Sequence, residues 1–599
     1  MPRKKKKAEE IQEFTPSKYQ KAIYDFIEHG SGNLVVEAAA GAGKTTTLFG
    51  CLKRIPEDKR VLMSAFNKDI VTVLEKKTKD FANVDAKTIH GLGLTMLNRN
   101  FPRVIDPKPD PYKYSSYVRN NIKSYSTINL RKLTPKEYFR YIDNIVKFVD
   151  FGRFYLCQSE KDLEFIESRY GIETIGDEKS IALEVMKWGK DNFHTIDYTD
   201  MIWLPNVLFL KPMGLQYDYI MIDECQDLNR AERELILKCV KMGTRIIAVG
   251  DKMQALYSFA GADPDSFKRL TELPNTTCLP LSISYRCGKK IIDLAQRIVP
   301  TIEWNEEGGV EGEILYDVPL DKVEDGDMIL CRNNAPLLQV YNEFLKLGKK
   351  SFIRGKDIGG NLKKVVMSMK QDKINVDCRT DGLFVRLYDD LFVARNNLML
   401  RSGIDAQTAL KSPVVENKLD TIKALEILSE GTNDTDELIK RIEEIFSDKK
   451  KDGIALSTVH KAKGLEANNV YIVCPNLMPS KAAQKDWEKT QEQNLIYVAY
   501  TRAKNKLGFV DGKDFEKFDM SSQSNTIELS KIEFRVNKIL GKTSTIPVTE
   551  TTAKDIIRNA RPVDMRVSTR PTVNINTTNE ANSFNDIFKN KKKIKRIKR

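Results

Sequence analysis

Short apolar runs bounded by polar turns recur along the chain. They lie at Leu34–Glu37, Arg60–Ser64, YDYIMI (217–222) and RIIAVGD (245–251). A second set follows at DMILC (327–331), GIALST (453–458), NNVYIVC (468–474) and KLGFV (506–510). Runs of this length without polar alternation predict strands buried on both faces of a parallel sheet. Helical periodicity separates them. It starts behind a Ser17 cap, where Tyr19, Ile23, Phe26 and Ile27 share a face. Two long stretches break the strand–helix alternation. One is rich in Tyr, Lys, Arg and Asn with several helical patterns (96–194), and the other spans 356–449.

The pattern predicts an α/β protein with two parallel-sheet units, each carrying a mostly helical insertion. The expected segments are a basic tip (1–13), a first unit (14–95 and 195–282), its insertion (96–194), a second unit (283–355 and 450–515), its insertion (356–449), and a linker with a basic tail (516–599). From about residue 540 the chain turns to Thr, Ser, Asn and Pro with few large apolar residues, which predicts disorder.

Composition changes this picture little. With 41% hydrophobic and 30% charged residues in 599, the chain reads as globular, and no apolar run reaches membrane-spanning length. Its nine cysteines are scattered without a Cys-x-x-Cys pair, so free thiols are expected, with no zinc or iron–sulfur site. The charged N-terminus lacks the apolar core of a secretory signal. A reducing compartment follows from both: cytoplasmic, or nuclear in a eukaryotic host. The net charge of +14 sits almost entirely in two blocks, Arg3–Lys7 and Lys589–Arg599. The core between them is near neutral, so nucleic-acid binding there must come from placed residues rather than bulk charge.

The candidate chemistry begins in LVVEAAAGAGKTTT (34–47), where a strand, a small-residue turn and a helix start follow one another. This order suits a phosphate-binding loop. Small residues let backbone N–H groups face phosphates, and the new helix points its positive end at them. Lys44 would reach the β- and γ-phosphates and Thr45 would hold Mg²⁺; Ala38 stands where the motif has its first glycine. After YDYIMI come Asp223 and Glu224. A buried strand delivering two adjacent carboxylates suits an indirect Mg²⁺ ligand (Asp223) and a base for water (Glu224). Gln254 follows the next strand closely enough to sense a γ-phosphate, with Tyr257 and Phe259 beyond it. KTIHGLG (87–93) and STVHKAKGL (457–465) echo each other and use two of only four histidines, which suggests a duplicated fold with the same face used twice. Near the C-terminus, Phe584, Ile587 and Phe588 form a small apolar cluster, either a plain tail helix or a docking peptide for a protein partner.

Seven stretches in order resemble the UvrD/PcrA/Rep branch of superfamily 1 helicases: AAAGAGKTT, TIHGLG, DECQD, VGDKMQALYSFAGA, SYRC, STVHKAKGLE and YVAYTRA. The resemblance implies two RecA-like motor domains closing on ATP and Mg²⁺, moving 3′-to-5′ along single-stranded DNA and opening tailed duplexes. It implies that Gln20 and Tyr285 hold adenine and that Ala40, Gly41, Ala42, Gly43, Lys44, Thr45 and Thr46 form the phosphate cradle. Glu466 would touch the ribose, and Arg286 and Arg502 would stabilise transition-state charge. Phe66, Asn67, Thr88, His90, Tyr257, Phe259, Thr458 and His460 would line the strand track.

Departures from the family pattern include Thr46 and Asn494 at usual arginine positions, Ala260 before the Gly-Ala, and a shifted Phe66. The second insertion is also shorter than usual. Two alternatives therefore stay open beside the helicase: a translocase that strips bound proteins and unwinds weakly, and a non-catalytic nucleic-acid-binding scaffold.

Overall fold

In a computed structural model, residues 15–65, 78, 81–106, 108–446, 452–510 and 523–542 are described. Phe66, Asn67, Phe584, Ile587 and Phe588 lie outside them. The apolar runs become strands of two six-stranded sheets, and every registered pair in both is parallel. The first contains β1 (Asn33–Ala38), β2 (Val61–Ala65), β3 (Val84–Thr88), β4 (Tyr217–Ile222), β5 (Val240–Gly250) and β6 (Thr276–Leu281), in the order β3-β2-β4-β5-β1-β6. A two-stranded pair, β7 (Ile283–Ser284) and β8 (Glu303–Trp304), links it to the second. The second sheet contains β9 (Glu313–Val318), β10 (Met328–Cys331), β11 (Ser351–Ile353), β12 (Ile454–Thr458), β13 (Ala467–Ile472) and β14 (Ala503–Val510), in the order β11-β12-β10-β13-β14-β9. Consecutive parallel strands cannot be joined by a tight turn, so helices cross over between them and cover the faces.

Between β3 and β4 the chain is helical, including Lys113–Tyr125, Pro135–Phe154, Glu160–Tyr170 and Glu178–Asp191. Their apolar faces continue the core on one side of the first sheet, where Tyr141, Phe148 and Val185 join Val35, Leu62 and Ile220. A buried charge cluster pins the return. Arg153, with no exposed surface, donates to Asp197 (2.8 Å), Asp200 (3.1 Å) and Asp150 (2.8 Å). Lys113 and the Tyr114 hydroxyl satisfy Asp200 as well. Asp197 caps the Tyr198–Val207 helix that re-enters the sheet unit.

Residues 356–445 form five helices, Lys356–Ser368, Leu383–Ser402, Ala406–Leu410, Pro413–Leu428 and Thr435–Ile445. Tyr388, Leu391, Leu425 and Ile442 share one buried cluster with Ile329, Cys331, Ile454 and Leu456 of the second sheet. The 516–599 stretch, expected as linker and tail, contains a helix over Gln523–Ile539. Leu529 and Val536 enter that same cluster, and Glu533 accepts a 2.7 Å bond from Arg395. All nine cysteines are free. Among the described residues no helix is long and apolar enough to cross a membrane.

A third buried cluster spans both sheets. Leu34, Val36 and Met221 belong to the first sheet, while Met328, Leu330, Val470 and Ile472 belong to the second. Tyr497 and Val498, from the Asp486–Tyr500 helix, sit within it.

Candidate nucleotide cleft and strand track

The loop after β1 turns into the Lys44–Leu52 helix with Gly43 left-handed (φ 80°) at its cap. Gly41 is also left-handed (φ 74°), a conformation that costs any residue with a Cβ. Ala40 and Ala42 are fully buried beneath the turn. The carboxyl end of β4 lies beside this loop. The Lys44 ammonium contacts a Glu224 carboxylate oxygen at 2.7 Å, and the Thr45 hydroxyl donates to Asp223 at 3.0 Å. Glu224 itself is left-handed (φ 54°, ψ 43°), a strained placement for a residue with a side chain.

The electrostatics separate the two carboxylates. Burial, with the Glu224 charge added, lifts Asp223 to about 6 against the pull of Lys44. Burial would lift Glu224 too, but Lys44 and then Lys463 outweigh it and hold the carboxyl at about 2. Two hard oxygen donors, a carboxylate and a hydroxyl, fit Mg²⁺, which takes few protein ligands and completes its shell with phosphate and water. Among the described residues, no group of three or more His, Cys, Asp or Glu side chains is placed to hold a metal alone.

Gln254 follows β5 and donates to Asp251 at 2.7 Å. Gln226 joins the two carboxylate centres: its amide nitrogen donates to Glu224 (2.6 Å) and its oxygen accepts from the Asp251 N–H (3.0 Å). Gln20 is buried with its oxygen accepting from the Ser17 N–H (3.0 Å) and its nitrogen donating to Thr47 (3.1 Å), so its orientation is set. Thr46 sits exposed in the first turn of the Lys44–Leu52 helix.

The second sheet presents its own residues to this loop. The Tyr497 hydroxyl accepts from the Ala40 N–H at 2.9 Å, and the Tyr285 N–H donates to the Gly41 carbonyl at 2.9 Å. The Tyr285 ring remains 46% exposed, free to stack on a planar group. A Cβ at Gly41 would lie 2.6 Å from Arg286 Cβ. The Arg286 guanidinium donates to Glu466 (2.7 Å) and the Thr501 carbonyl (3.2 Å); Lys504 also pairs with Glu466. Arg502 lies just beyond the Asp486–Tyr500 helix, in the turn before β14. It is fully buried, donating to the Val498 and Leu465 carbonyls and to the Thr501 hydroxyl. Burial, and then Arg286, lower it to about 10, so it stays cationic at neutral pH. Lys463 crosses between the sheet units: its ammonium reaches Asp227 (2.5 Å) and the Gln254 carbonyl (2.6 Å).

The candidate track residues fall at matching places. Thr88 ends β3 and Thr458 ends β12, each followed two residues on by His90 or His460. The echo is imperfect. Thr88 caps a helix through the Gly91 N–H, whereas Thr458 leads into a turn. Burial lowers both histidines, His460 to about 3, leaving both imidazoles neutral at pH 7. His460 meets Phe259 edge-on at 5.7 Å, and Phe259 meets Tyr257 at 6.4 Å. Phe259 is 50% exposed, as a base-stacking surface requires.

Sequence reasoning passed over Gln226, Asp227, Asp251, Lys463 and Tyr497. All five lie inside motif stretches already singled out, but the partners of Asp227, Lys463 and Tyr497 are far away in the chain; Lys463 and Asp227 are 236 residues apart.

Residues 19–275 match the UvrD/REP helicase N-terminal domain, and residues 406–511 match the UvrD-like helicase C-terminal domain. Similar proteins include F-box DNA helicase protein 1 of Schizosaccharomyces pombe, 24% identical over 82% of this chain and 56% of its own length. F-box DNA helicase 1 of Gallus gallus is 25% identical over 82% of this chain and 48% of its own length. The chain thus spans about half the length of these two curated relatives. The ATP-dependent DNA helicase PcrA of Bacillus subtilis is 23% identical over 84% of each chain. With two family domains matched in order across two parallel sheets, the chain belongs to the UvrD/Rep helicase family.

Proposed function

We propose that this protein is an ATP-dependent DNA helicase that moves 3′-to-5′ on single-stranded DNA and opens duplexes from a 3′ tail. One observation carries the reading. Lys44, Thr45, Asp223 and Glu224 of one sheet unit gather at the loop that Tyr285, Arg286 and Tyr497 of the other touch, and Lys463 of the other unit bonds to the Gln254 carbonyl. The polarity and the DNA substrate rest on the family and on the names of its members.

ATP with Mg²⁺ supplies the phosphoryl group and the charge that neutralises it. Lys44 supplies a buried cation at the loop, its charged form favoured by Glu224 and Asp251 despite burial. Glu224 is ionised and held by Lys44 and Gln226; it would serve as a base toward water once Lys44 turns to the phosphates and the pull that holds its carboxyl low is relieved. Gln254 is anchored through Asp251 and linked to the other unit by Lys463. Arg286 and Arg502 supply fixed cations from the opposite side, a contribution of about 10³ to 10⁵ in rate in related phosphoryl-transfer sites. Phe259, Tyr257 and the two neutral histidines would grip the strand by stacking and hydrogen bonding without reading sequence.

The test is ATP hydrolysis with and without single-stranded DNA, followed by displacement of 3′- and 5′-tailed duplexes. Lys44→Ala is expected to abolish hydrolysis while retaining strand binding, and DNA-stimulated hydrolysis in that variant would overturn the reading. A second reading, a translocase that strips proteins and unwinds weakly, is favoured by the second insertion, which merges into the core of its sheet. Brisk DNA-stimulated hydrolysis without strand displacement would select it.

A further inference from the structure

The helical insertion of the first sheet unit touches the second unit at a seam beside the Tyr257–Phe259 loop. The Glu160–Tyr170 helix ends there, with Gly171 left-handed (φ 61°). A helix end leaves carbonyls unpaired and carries partial negative charge. Lys485, the residue before the Asp486–Tyr500 helix, donates to the carbonyls of Ser168 and Arg169. A cation from one unit thus closes a helix of the other. The Arg169 guanidinium lies over the Trp487 ring, 4.9 Å from its centroid, and Trp487 meets Tyr170 at 6.4 Å.

Tyr170 carries the seam into the loop. Its ring stacks on Phe151 (4.0 Å, 11°), and its hydroxyl donates to the Ser258 carbonyl at 2.9 Å. The Tyr155 hydroxyl lies 3.0 Å from that of Tyr170. A phenol has one proton, so with that of Tyr170 given to Ser258, Tyr155 must be the donor between them. The chain of bonds therefore runs from Tyr155 through Tyr170 to Ser258, the residue between Tyr257 and Phe259.

The second unit holds the same stretch of backbone. Asn494 donates to the Ala255 carbonyl (3.1 Å) and Gln491 to the Leu256 carbonyl (3.0 Å). Trp487, Gln491 and Asn494 stand at i, i+4 and i+7, one face of a single helix. That face, extended by Tyr170, fixes the carbonyls of Ala255, Leu256 and Ser258. The stretch leads from Gln254 to the two aromatic residues.

We propose that Tyr170 is a positioning residue that sets the Tyr257–Phe259 loop for gripping single-stranded DNA when the two sheet units close. The inference rests on the DNA-motor reading above. The test uses the full chain and measures ATP hydrolysis against rising oligo-dT for wild type, Tyr170→Phe, Tyr155→Phe and Trp487→Phe. Tyr170→Phe keeps the stack and deletes the Ser258 bond together with the bond from Tyr155, and Tyr155→Phe removes the latter alone. Tyr170→Phe is expected to raise the half-activating DNA concentration on the order of five-fold, the size of one net hydrogen bond. Its DNA-free rate and its plateau rate should match wild type.

Tyr155→Phe should change the half-activating concentration by less than about two-fold, since it leaves the Ser258 bond in place. Trp487→Phe, on the other side of the seam, should shift it in the same direction as Tyr170→Phe and covers the case in which the tyrosine variant fails to fold. Superimposable curves for Tyr170→Phe and wild type would overturn the proposal, as would a lowered plateau with unchanged half-activation. If oligo-dT does not stimulate wild type at all, the motor reading itself fails, an outcome distinct from either.

Discussion

Gly41→Ala separates the cost of a turn from the cost of closing the cleft. Gly41 is left-handed (φ 74°), so any Cβ there costs about 1–2 kcal/mol of backbone strain wherever the loop keeps its shape. The added methyl would also stand 2.6 Å from Arg286 Cβ and 2.8 Å from Ser284 Oγ. Carbon contacts prefer about 3.5–4.0 Å, so the second sheet unit would have to withdraw by roughly 1 Å at this point. That withdrawal stretches the Tyr285 N–H bond to Gly41 and the bond between Tyr497 and the Ala40 N–H, each worth about 1 kcal/mol net. The strain term lowers stability, whereas the contact term acts only on the closed arrangement. We therefore expect stability to fall by about 1–2 kcal/mol. ATP turnover should fall about 10- to 100-fold, because roughly 2 kcal/mol is lost from the closed form. The assay is steady-state hydrolysis beside thermal melting, with Gly43→Ala as a companion for melting: Gly43 is equally left-handed (φ 80°) but its Cβ would meet nothing nearer than 3.9 Å. Wild-type turnover by Gly41→Ala would refute the claim that the loop and Arg286 approach each other during hydrolysis.

Other outcomes follow from the buried charges. Lys463→Met removes the cation facing Asp227, whose carboxyl burial already lifts to about 6. Breaking such a buried pair costs about 3–5 kcal/mol, so hydrolysis should fall on the order of 100-fold or more. Asp227 then rises further and escapes by protonation, so the variant-to-wild-type rate ratio should be larger at pH 6 than at pH 8; a ratio independent of pH would refute this. Glu232 is lifted by burial from 4.5 to about 7, so the stability it allows at low pH is lost as pH climbs through that range. Glu232→Gln can still accept from the Asn229 N–H but cannot ionise. It should melt close to wild type at pH 5 and higher at pH 8, by up to roughly 3 kcal/mol.

What could be read in the sequence was whatever is local. A strand, a turn of small residues and Lys44 define a phosphate loop within one short segment, and YDYIMI delivers Asp223 and Glu224 in the same way. The helical character of 96–194 and 356–449 showed in the loss of strand–helix alternation. Contacts between distant segments were hidden. Nothing near Lys463 signals Asp227, and nothing near Trp487 signals Tyr170. Asn494 looked like a mere loss of arginine, yet its amide reaches the Lys252 and Ala255 carbonyls. The Gln523–Ile539 helix was missed although Leu529, Ile532, Val536 and Ile539 are helically spaced. Its sparse apolar stripe lies beside a polar tail, and in the fold it packs against the Leu383–Ser402 helix, the tertiary support a weakly amphipathic helix needs.

The apolar layer shared by the two sheets has a thermal consequence. Parting them would wet Ala40, Leu256 and Tyr497, all fully buried where the Asp486–Tyr500 helix meets the loops of the first unit, and hydrating hydrocarbon raises heat capacity. The grip between the halves should therefore slacken on cooling, since the water-driven attraction fades toward low temperature. An Arrhenius plot of turnover should bend for that reason alone, its slope changing as the resting balance between parted and joined halves shifts with the thermometer.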